Sequence, residues 1–312
     1  MIRERHCSAS FNTDLSEKVA YDNPQFPAYI RKGNLSLYPD YAASSHWHEE
    51  LEFILVCEGS MTYNVNGKLI TLRSGNGIFV NSRQLHYGFS DKKEGCSFLC
   101  ILLSPSLLAS NTFFYENYIE PFIRNTGCPY IMLEQSVDWN MIILDLLQEI
   151  FEKKDEALSE FLIQRNFFSI MEILYAHNKP NPEKEKNNSR ALNTLKQMIL
   201  YIEQNYRKKI TLLEIAKSGH CCKSKCISLF KHYLKDSPIV YLNKLRLQKS
   251  CILLLDTDLS VTEVAFECGF HGSSYYCESF RKYFQVSPTE YRNRVNNPFA
   301  FPCFCPYEAL QH

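Results

Sequence analysis

Three histidines and a glutamate stand at suggestive spacings in the first third of the chain: His46-x-His48-x3-Glu52 leads on to Gly59, and His86 follows Gly75 by eleven residues. Side chains alternate along an extended segment, so His46 and His48 project to one face. Imidazole nitrogens and a carboxylate oxygen suit two kinds of chemistry. As a donor set they fit a divalent metal ion. As hydrogen-bonding groups, they hold the hydroxyls of a small sugar-like molecule, with Trp47, Phe53 or Tyr63 as the stacking face. A divalent metal on His46, His48, Glu52 and His86, an organic ligand, or a purely structural role all stay open on the residues alone.

These residues need rigid elements to hold them, and residues 28–103 read as β structure. Leu51–Glu58 is a buried-type strand. Met61–Val65 pairs with Lys68–Leu72 through Asn66-Gly67, a dipeptide that tolerates the positive φ of a two-residue hairpin. Ile78–Val80 and Ser97–Leu103 add strands, and short strands this closely spaced imply a small barrel or sandwich. From Val137 to Ala176 the apolar period becomes helical, with Ile142, Ile143, Leu146, Leu147 and Ile150 on one stripe and Leu158, Phe161, Leu162, Phe168 and Met171 on the next. Such a helix pair covers the barrel, makes a dimer face, or both. The polar run after His177 contains two prolines and no large apolar residue, and reads as a linker.

Beyond it the chain repeats itself. Thr211-Leu-Leu-Glu214-Ile-Ala216 recurs as Ser260-Val-Thr-Glu263-Val-Ala265 at an offset of 49, and Phe230-Lys231, Ser237-Pro238 and Tyr241 recur as Phe280-Arg281, Ser287-Pro288 and Tyr291 at 50. One residue is therefore inserted between the two blocks. Thr211 with Glu214, and Ser260 with Glu263, are capping boxes that open a helix. Gly219 and Gly269 permit a turn, and second helices follow over about Lys223–Tyr233 and Ser273–Tyr283. Helix, turn and helix in this order is the helix-turn-helix arrangement, whose second helix can enter a major groove. Pro238–Leu255 reads as one long helix joining the two copies.

These residues resemble the AraC/XylS family of bacterial transcription regulators. The second copy carries the signature, Val264-Ala265-x3-Gly269-Phe270-x3-Ser274-Tyr275-Tyr276-x3-Phe280-Arg281-x6-Pro288-x2-Tyr291-Arg292. The resemblance implies two readers on one side of the DNA, about 34 Å apart. It also implies base contacts from Ser224, Ile227, Ser228, Ser273, Ser274, Tyr275 and Glu278. Ser228 and Glu278 depart from the arginine common in the family, and Lys235 from the glycine. Lys223, Lys225, Lys231, Arg246, Arg281, Lys282 and Arg292 are phosphate-contact candidates, since cations displace condensed counterions from any sequence. The histidine pattern is similar to the first cupin motif, with His86 in the place of the second motif's histidine and Asn81 where cupins carry proline. The resemblance implies that the barrel is an effector sensor, so a small organic ligand is the preferred reading of the histidine cluster and no cofactor is expected.

The expected architecture has two domains, an N-terminal cupin-like β-barrel with flanking helices and a C-terminal all-α tandem helix-turn-helix joined by a long linker helix. The boundaries are 1–135 for the barrel, 136–178 for a helical dimerisation segment, 179–189 for the linker, 190–296 for the DNA-binding domain and 297–312 for a tail. The two helix-turn-helix units fall at about 210–234 and 260–284. Charge agrees with this division, although the whole chain is formally neutral. Residues 1–178 hold 14 basic and 22 acidic groups and residues 190–296 hold 17 and 9, so −8 faces +8. A basic half suits a polyanion.

With 45% hydrophobic and 22% charged residues, the composition is globular. No membrane-length apolar run and no secretory signal are visible. The 13 cysteines form no scaffold and read as reduced thiols in a cytoplasmic protein. Cys221-Cys222-x3-Cys226 and Cys303-x-Cys305 hint at zinc or redox sensing, but packing explains Cys226. No Walker loop, dinucleotide fingerprint or nucleophile elbow appears. The expected function is therefore a non-enzymatic, DNA-binding regulator, an activator by family habit. Its expected partners are double-stranded DNA, a small effector, a second copy bound through the N-terminal half, and RNA polymerase, with no membrane. A cupin metalloenzyme fused to a DNA-binding module and a ligand-independent regulator are the rivals.

Overall fold

The structure, a computed structural model, describes residues 10–11, 16–125, 127–178 and 189–294. The expected linker (Ser189 apart) and tail, with Cys303 and Cys305, lie outside the described residues. The chain divides into two compact units, one of Ser10–Ser36 with Tyr41–Ser189 and one beginning at Arg190.

The first unit opens on a short strand pair, β1 (Ser10–Phe11) and β2 (Glu17–Lys18), and continues with two antiparallel sheets. One sheet runs β10-β7-β4-β9-β3, from β3 (Ala28–Asn34), β4 (Leu51–Glu58), β7 (Gly77–Val80), β9 (Ser97–Leu103) and β10 (Tyr130–Leu133). The other runs β6-β5-β8, from β5 (Ser60–Val65), β6 (Lys68–Arg73) and β8 (His86–Phe89). Asn66 and Gly67 both take positive φ, 50° and 85°, and set Val65 opposite Lys68, as a two-residue hairpin requires.

Two short helical turns, α1 (Thr112–Phe114) and α2 (Glu120–Ile123), follow β9, and two long helices, α3 (Asp138–Lys153) and α4 (Ser159–His177), follow β10. Alternation along β4 decides which of its residues meet them. Leu51, Phe53 and Leu55 join a core that includes Ile143, Leu147 and Ile150 of α3 and Phe167 and Ile170 of α4. The two expected helices are thus present, but the inner face of α4 differs from the expected stripe. Ile163, Phe167, Ile170 and Leu174 are buried, whereas Leu158 and Phe161 are 70% and 76% exposed. The reason is local: Leu158 sits in a left-handed conformation just before the helix, outside its periodicity.

The second unit is helical throughout its described length. It comprises α5 (Ser189–Asn205), α6 (Leu212–Ser218), α7 (Lys223–Leu234), α8 (Pro238–Asp256), α9 (Val261–Glu267), α10 (Ser273–Phe284) and α11 (Pro288–Arg294). Both capping boxes form, on Thr211 with Glu214 and on Ser260 with Glu263. Ser287 and Glu290 repeat the exchange of hydrogen bonds at the start of α11. The long helix α8 packs against α6 and α7 on one side of the repeat and α9 and α10 on the other.

The inserted residue can be located. Cys221 N–H donates to Ala216 O and Phe270 N–H to Ala265 O, still at an offset of 49, whereas the residues before α7 and α10, Cys222 and Gly272, differ by 50. The insertion therefore lies inside the second turn. Gly219 and Gly269, which share a role in the sequence pattern, are not equivalent. Gly269 takes the positive φ, 83°, while in the first turn His220 does so, at 50°. Gly219 is needed for space, since a Cβ there would lie 2.6 Å from Met198 Cγ.

Lys235 and Gln285 close α7 and α10 in the left-handed conformation, with φ of 58° and 61°. A side chain at such a position crowds its own carbonyl, and glycine relieves it. Lys235→Gly and Gln285→Gly are each expected to stabilise the protein by about 0.5–1 kcal/mol, read as a higher denaturation midpoint with an unchanged slope.

Candidate functional sites

The two sheets and the segment before β4 each contribute to one buried cluster. Glu52 comes from β4 and His86 from β8. His46 is fixed against β8 by an isolated antiparallel bridge, in which His46 N–H donates to His86 O at 3.1 Å and His86 N–H to His46 O at 2.9 Å. His46, His48, Glu52 and His86 are all buried, and one donor atom of each lies within 4.8 Å of those of the others. Glu52 Oε2 is 3.3 Å from His86 Nε2 and 3.4 Å from His48 Nε2. The Tyr63 hydroxyl donates to the Glu52 carboxylate, and the Tyr63 ring stacks over His86 with centroids 6.2 Å apart. Glycine at 88 makes room for that ring, because a Cβ there would stand 3.1 Å from Tyr63 Cδ2.

The imidazoles are oriented from outside. His46 Nδ1 lies 2.8 Å from Ser44 O, His86 Nδ1 2.8 Å from Gln84 O, and His48 Nδ1 3.2 Å from Glu50 O. A carbonyl only accepts, so each Nδ1 carries the hydrogen and, in a neutral ring, each Nε2 keeps its lone pair. Glu50 is itself buried and accepts from the Tyr21 hydroxyl. Glu17 brings another buried carboxylate, 3.8 Å from His46 Nε2.

Electrostatics separates these groups. Burial pushes His46 well below the usual histidine range, and the neighbouring His86 and His48 add to the shift. Burial also acts to raise the Glu52 carboxyl, yet His86 and His48 outweigh it and hold it well below the usual range. His86 is raised, because the Glu52 carboxylate overcomes the effect of burial.

The other pocket candidates divide. Tyr63 belongs to the cluster and Trp47 is buried, but Phe53 is not a stacking face for it. Its ring lies 5.2 Å from that of Phe79, in the core on the opposite side of β4, because neighbours on a strand point to opposite faces. Asn81, in the place of a proline, donates from Nδ2 to Phe122 O and Cys128 O and ties a loop to the sheet. Sequence reasoning does not find Tyr21 and Glu50, whose roles follow from tertiary packing rather than spacing.

In the helical unit, the base-contact candidates Ser224, Ser228, Ser274, Tyr275 and Glu278 are exposed on α7 and α10, with Ile227 and Ser273 half-buried. Asn243 Nδ2 of α8 donates to the Tyr275 hydroxyl at 3.1 Å. Lys223, Lys225, Lys231, Arg281 and Lys282 are exposed around them. Two phosphate candidates are engaged within the fold. Arg246 is buried and donates from Nε to Tyr206 O and from Nη2 to Lys208 O, both at 2.8 Å, closing the C-terminal end of α5. Arg292 does the same after α8, donating to Leu254 O at 3.0 Å and Leu259 O at 2.5 Å. Carbonyls at a helix end and in the turn that follows lack intrahelical donors, and these guanidiniums supply them. The Cys221, Cys222 and Cys226 trio gathers no metal-binding group among the described residues; Cys226 is fully buried in the helical core, and the described cysteines are free thiols.

A buried polar cluster in a β-rich unit, followed by two exposed second helices in a tandem repeat, defines a DNA-binding regulator with a ligand-binding domain. Comparison with known proteins agrees. Residues 36–162 match the family model of an AraC-like ligand binding domain, and residues 215–294 match a helix-turn-helix domain. The HTH-type transcriptional regulator YdeC of Bacillus subtilis is 31% identical over 282 residues, covering 89% of this chain and 96% of the relative. The HTH-type transcriptional activator RhaR of Mannheimia succiniciproducens is 27% identical, covering 80% and 87%. Among solved structures, ToxT from Vibrio cholerae aligns with 86% of this chain and 99% of its own at 12% identity and a TM-score of 0.44. The chain belongs to the AraC/XylS family of transcription regulators.

Arg246→Met keeps the aliphatic stem but leaves carbonyls without donors, and is expected to cost about 1–3 kcal/mol in denaturant unfolding. Lys282→Ala, on an exposed face, is expected to leave stability within about 0.5 kcal/mol.

Proposed function

We propose that this regulator activates transcription in response to a small effector bound in the β-rich unit. It acts as a homodimer, through DNA binding and contact with RNA polymerase rather than catalysis. The supporting observation is the pair of second helices, α7 and α10, each presenting small polar residues between exposed cations. That arrangement fits phosphate binding around a modest set of base contacts. The name of the RhaR relative, an activator, supports the sign of regulation. The cytoplasm, where the DNA lies, is the proposed location.

Exposed Met141 and Ile142 on α3 and Phe161 on α4 support a dimer face on the helical segment 136–178. Apolar side chains of this size in water favour association. An effector that prefers one arrangement of the domains shifts the population between DNA-competent and incompetent states, by as much as its affinities for the two differ. The cluster itself leaves no space for a sugar ring between groups 4.8 Å apart.

Gel shifts of the full-length protein on fragments from its own upstream region test this reading. Affinity should fall steeply with salt. Lys282→Ala should weaken all sites alike and flatten the salt slope by about one. Glu278→Arg should instead change which bases a randomised library returns, because arginine pairs with guanine while glutamate accepts from cytosine. Absence of salt-dependent binding, or equal losses across the library for both variants, refutes the assignment.

A further inference from the structure

Tyr275 is the one aromatic side chain among the base-contact candidates, and it is held at two points. It is the third residue of α10, in the part of a second helix that meets base edges, and it is 54% exposed. Its ring lies 6.2 Å from that of Phe270, which is buried and has the Arg246 guanidinium 5.9 Å from its centroid. Its hydroxyl accepts a hydrogen bond of 3.1 Å from Asn243 Nδ2. Asn243 belongs to α8, outside both helix-turn-helix units, and stands one turn before Arg246, whose own bonds tie that helix to the end of α5. An exposed tyrosine fixed at ring and hydroxyl has little rotamer freedom left to lose on binding. The first reader has no counterpart, since Lys225 stands at the position of Tyr275 fifty residues earlier.

A phenol hydroxyl is both donor and acceptor, and a free one rotates to suit either partner. Base edges in the major groove offer both kinds. Guanine O6 and N7, adenine N7 and thymine O4 accept, whereas the amino groups of cytosine and adenine donate. A freely turning hydroxyl therefore distinguishes little between them. The Asn243 amide removes that freedom by occupying a lone pair, so the hydroxyl hydrogen has to be given elsewhere. We propose that Asn243 is a positioning residue, which holds Tyr275 and keeps its hydroxyl as a donor, so that α10 prefers a base with an acceptor at the place Tyr275 reaches. The inference rests on the reading that α10 enters the major groove, and adds to it a source of specificity that lies outside the reader itself.

The test uses full-length protein and a randomised operator library, with base preference at each position as the readout. Asn243→Asp replaces a donor by an acceptor of nearly the same size. The phenol then donates to the new carboxylate and offers a lone pair to the DNA. The expected result is a switch at one operator position, from an acceptor edge to the amino group of cytosine or adenine, by about 2–10-fold in relative affinity. The added charge weakens all sequences alike and cancels from that ratio. Asn243→Ala should lower discrimination at the same position by about 2–10-fold, and should do nothing further there in a Tyr275→Phe background. A residue that merely supported α8 would act equally in both backgrounds. Position 243 is half-buried on a helix, where alanine is favoured, so Asn243→Ala decides the matter if circular dichroism shows that Asn243→Asp does not fold. An unchanged preference in folded Asn243→Asp, or equal effects of Asn243→Ala with and without the tyrosine hydroxyl, overturns the proposal. A parent without salt-dependent DNA binding overturns both this inference and the reading beneath it, whereas a parent that binds, with variants that keep its preference, overturns this inference alone.

Discussion

A carboxylate buried between two sheets is the constraint on which the β-rich unit depends. Glu52 is 1% exposed, and an ionised group so far from water costs several kcal/mol unless it is paired. Its surroundings are arranged to that end. Two histidines approach it, a tyrosine hydroxyl donates to it, and a glycine on the neighbouring strand clears the space in which that tyrosine lies. The antiparallel bridge between His46 and His86 brings the remaining imidazole to the same place. Removing any one partner leaves the others with unmet hydrogen-bonding capacity, so the cluster holds together as a set.

The helical unit solves a different problem, the termination of its helices. An α-helix exposes donors at its start and acceptors at its end. Here the starts are closed by side chains from the same helix, in capping boxes at Thr211 and Ser260. The ends of α5 and α8 are closed from a distance, by Arg246 and Arg292. The first device is local and the second is tertiary. The capping boxes open α6 and α9, helices of seven residues that are too short to persist alone.

That distinction also explains what is legible in the sequence. The capping boxes, the Asn66-Gly67 hairpin and the strands Leu51–Glu58 and Ser97–Leu103 depend on neighbours in the chain and can be read directly. So can the convergence of His46, His48, Glu52 and His86, because alternation and the resemblance point the same way. What depends on distant contacts is misread or missed. Arg246 and Arg292 are identical as letters to arginines that bind phosphate, and only the fold shows them donating to backbone carbonyls. Phe53 looks available until β4 acquires two faces. The inner stripe of α4 shifts because Leu158 lies outside the helix. The equivalence of Gly219 with Gly269 fails for a subtler reason: the insertion falls between these landmarks and the next, within the turn itself.

The single helix shared by both halves of the repeat has a consequence for the DNA. Over 19 residues α8 advances about 28 Å, and every residue turns the chain by about 100°. It thereby acts as a shaft as well as a spacer. Lengthening it by one residue would rotate one reader out of phase with the other, although the change in separation would be slight. The angle between the two halves of the repeat is thus set by the length of α8 as much as their distance is.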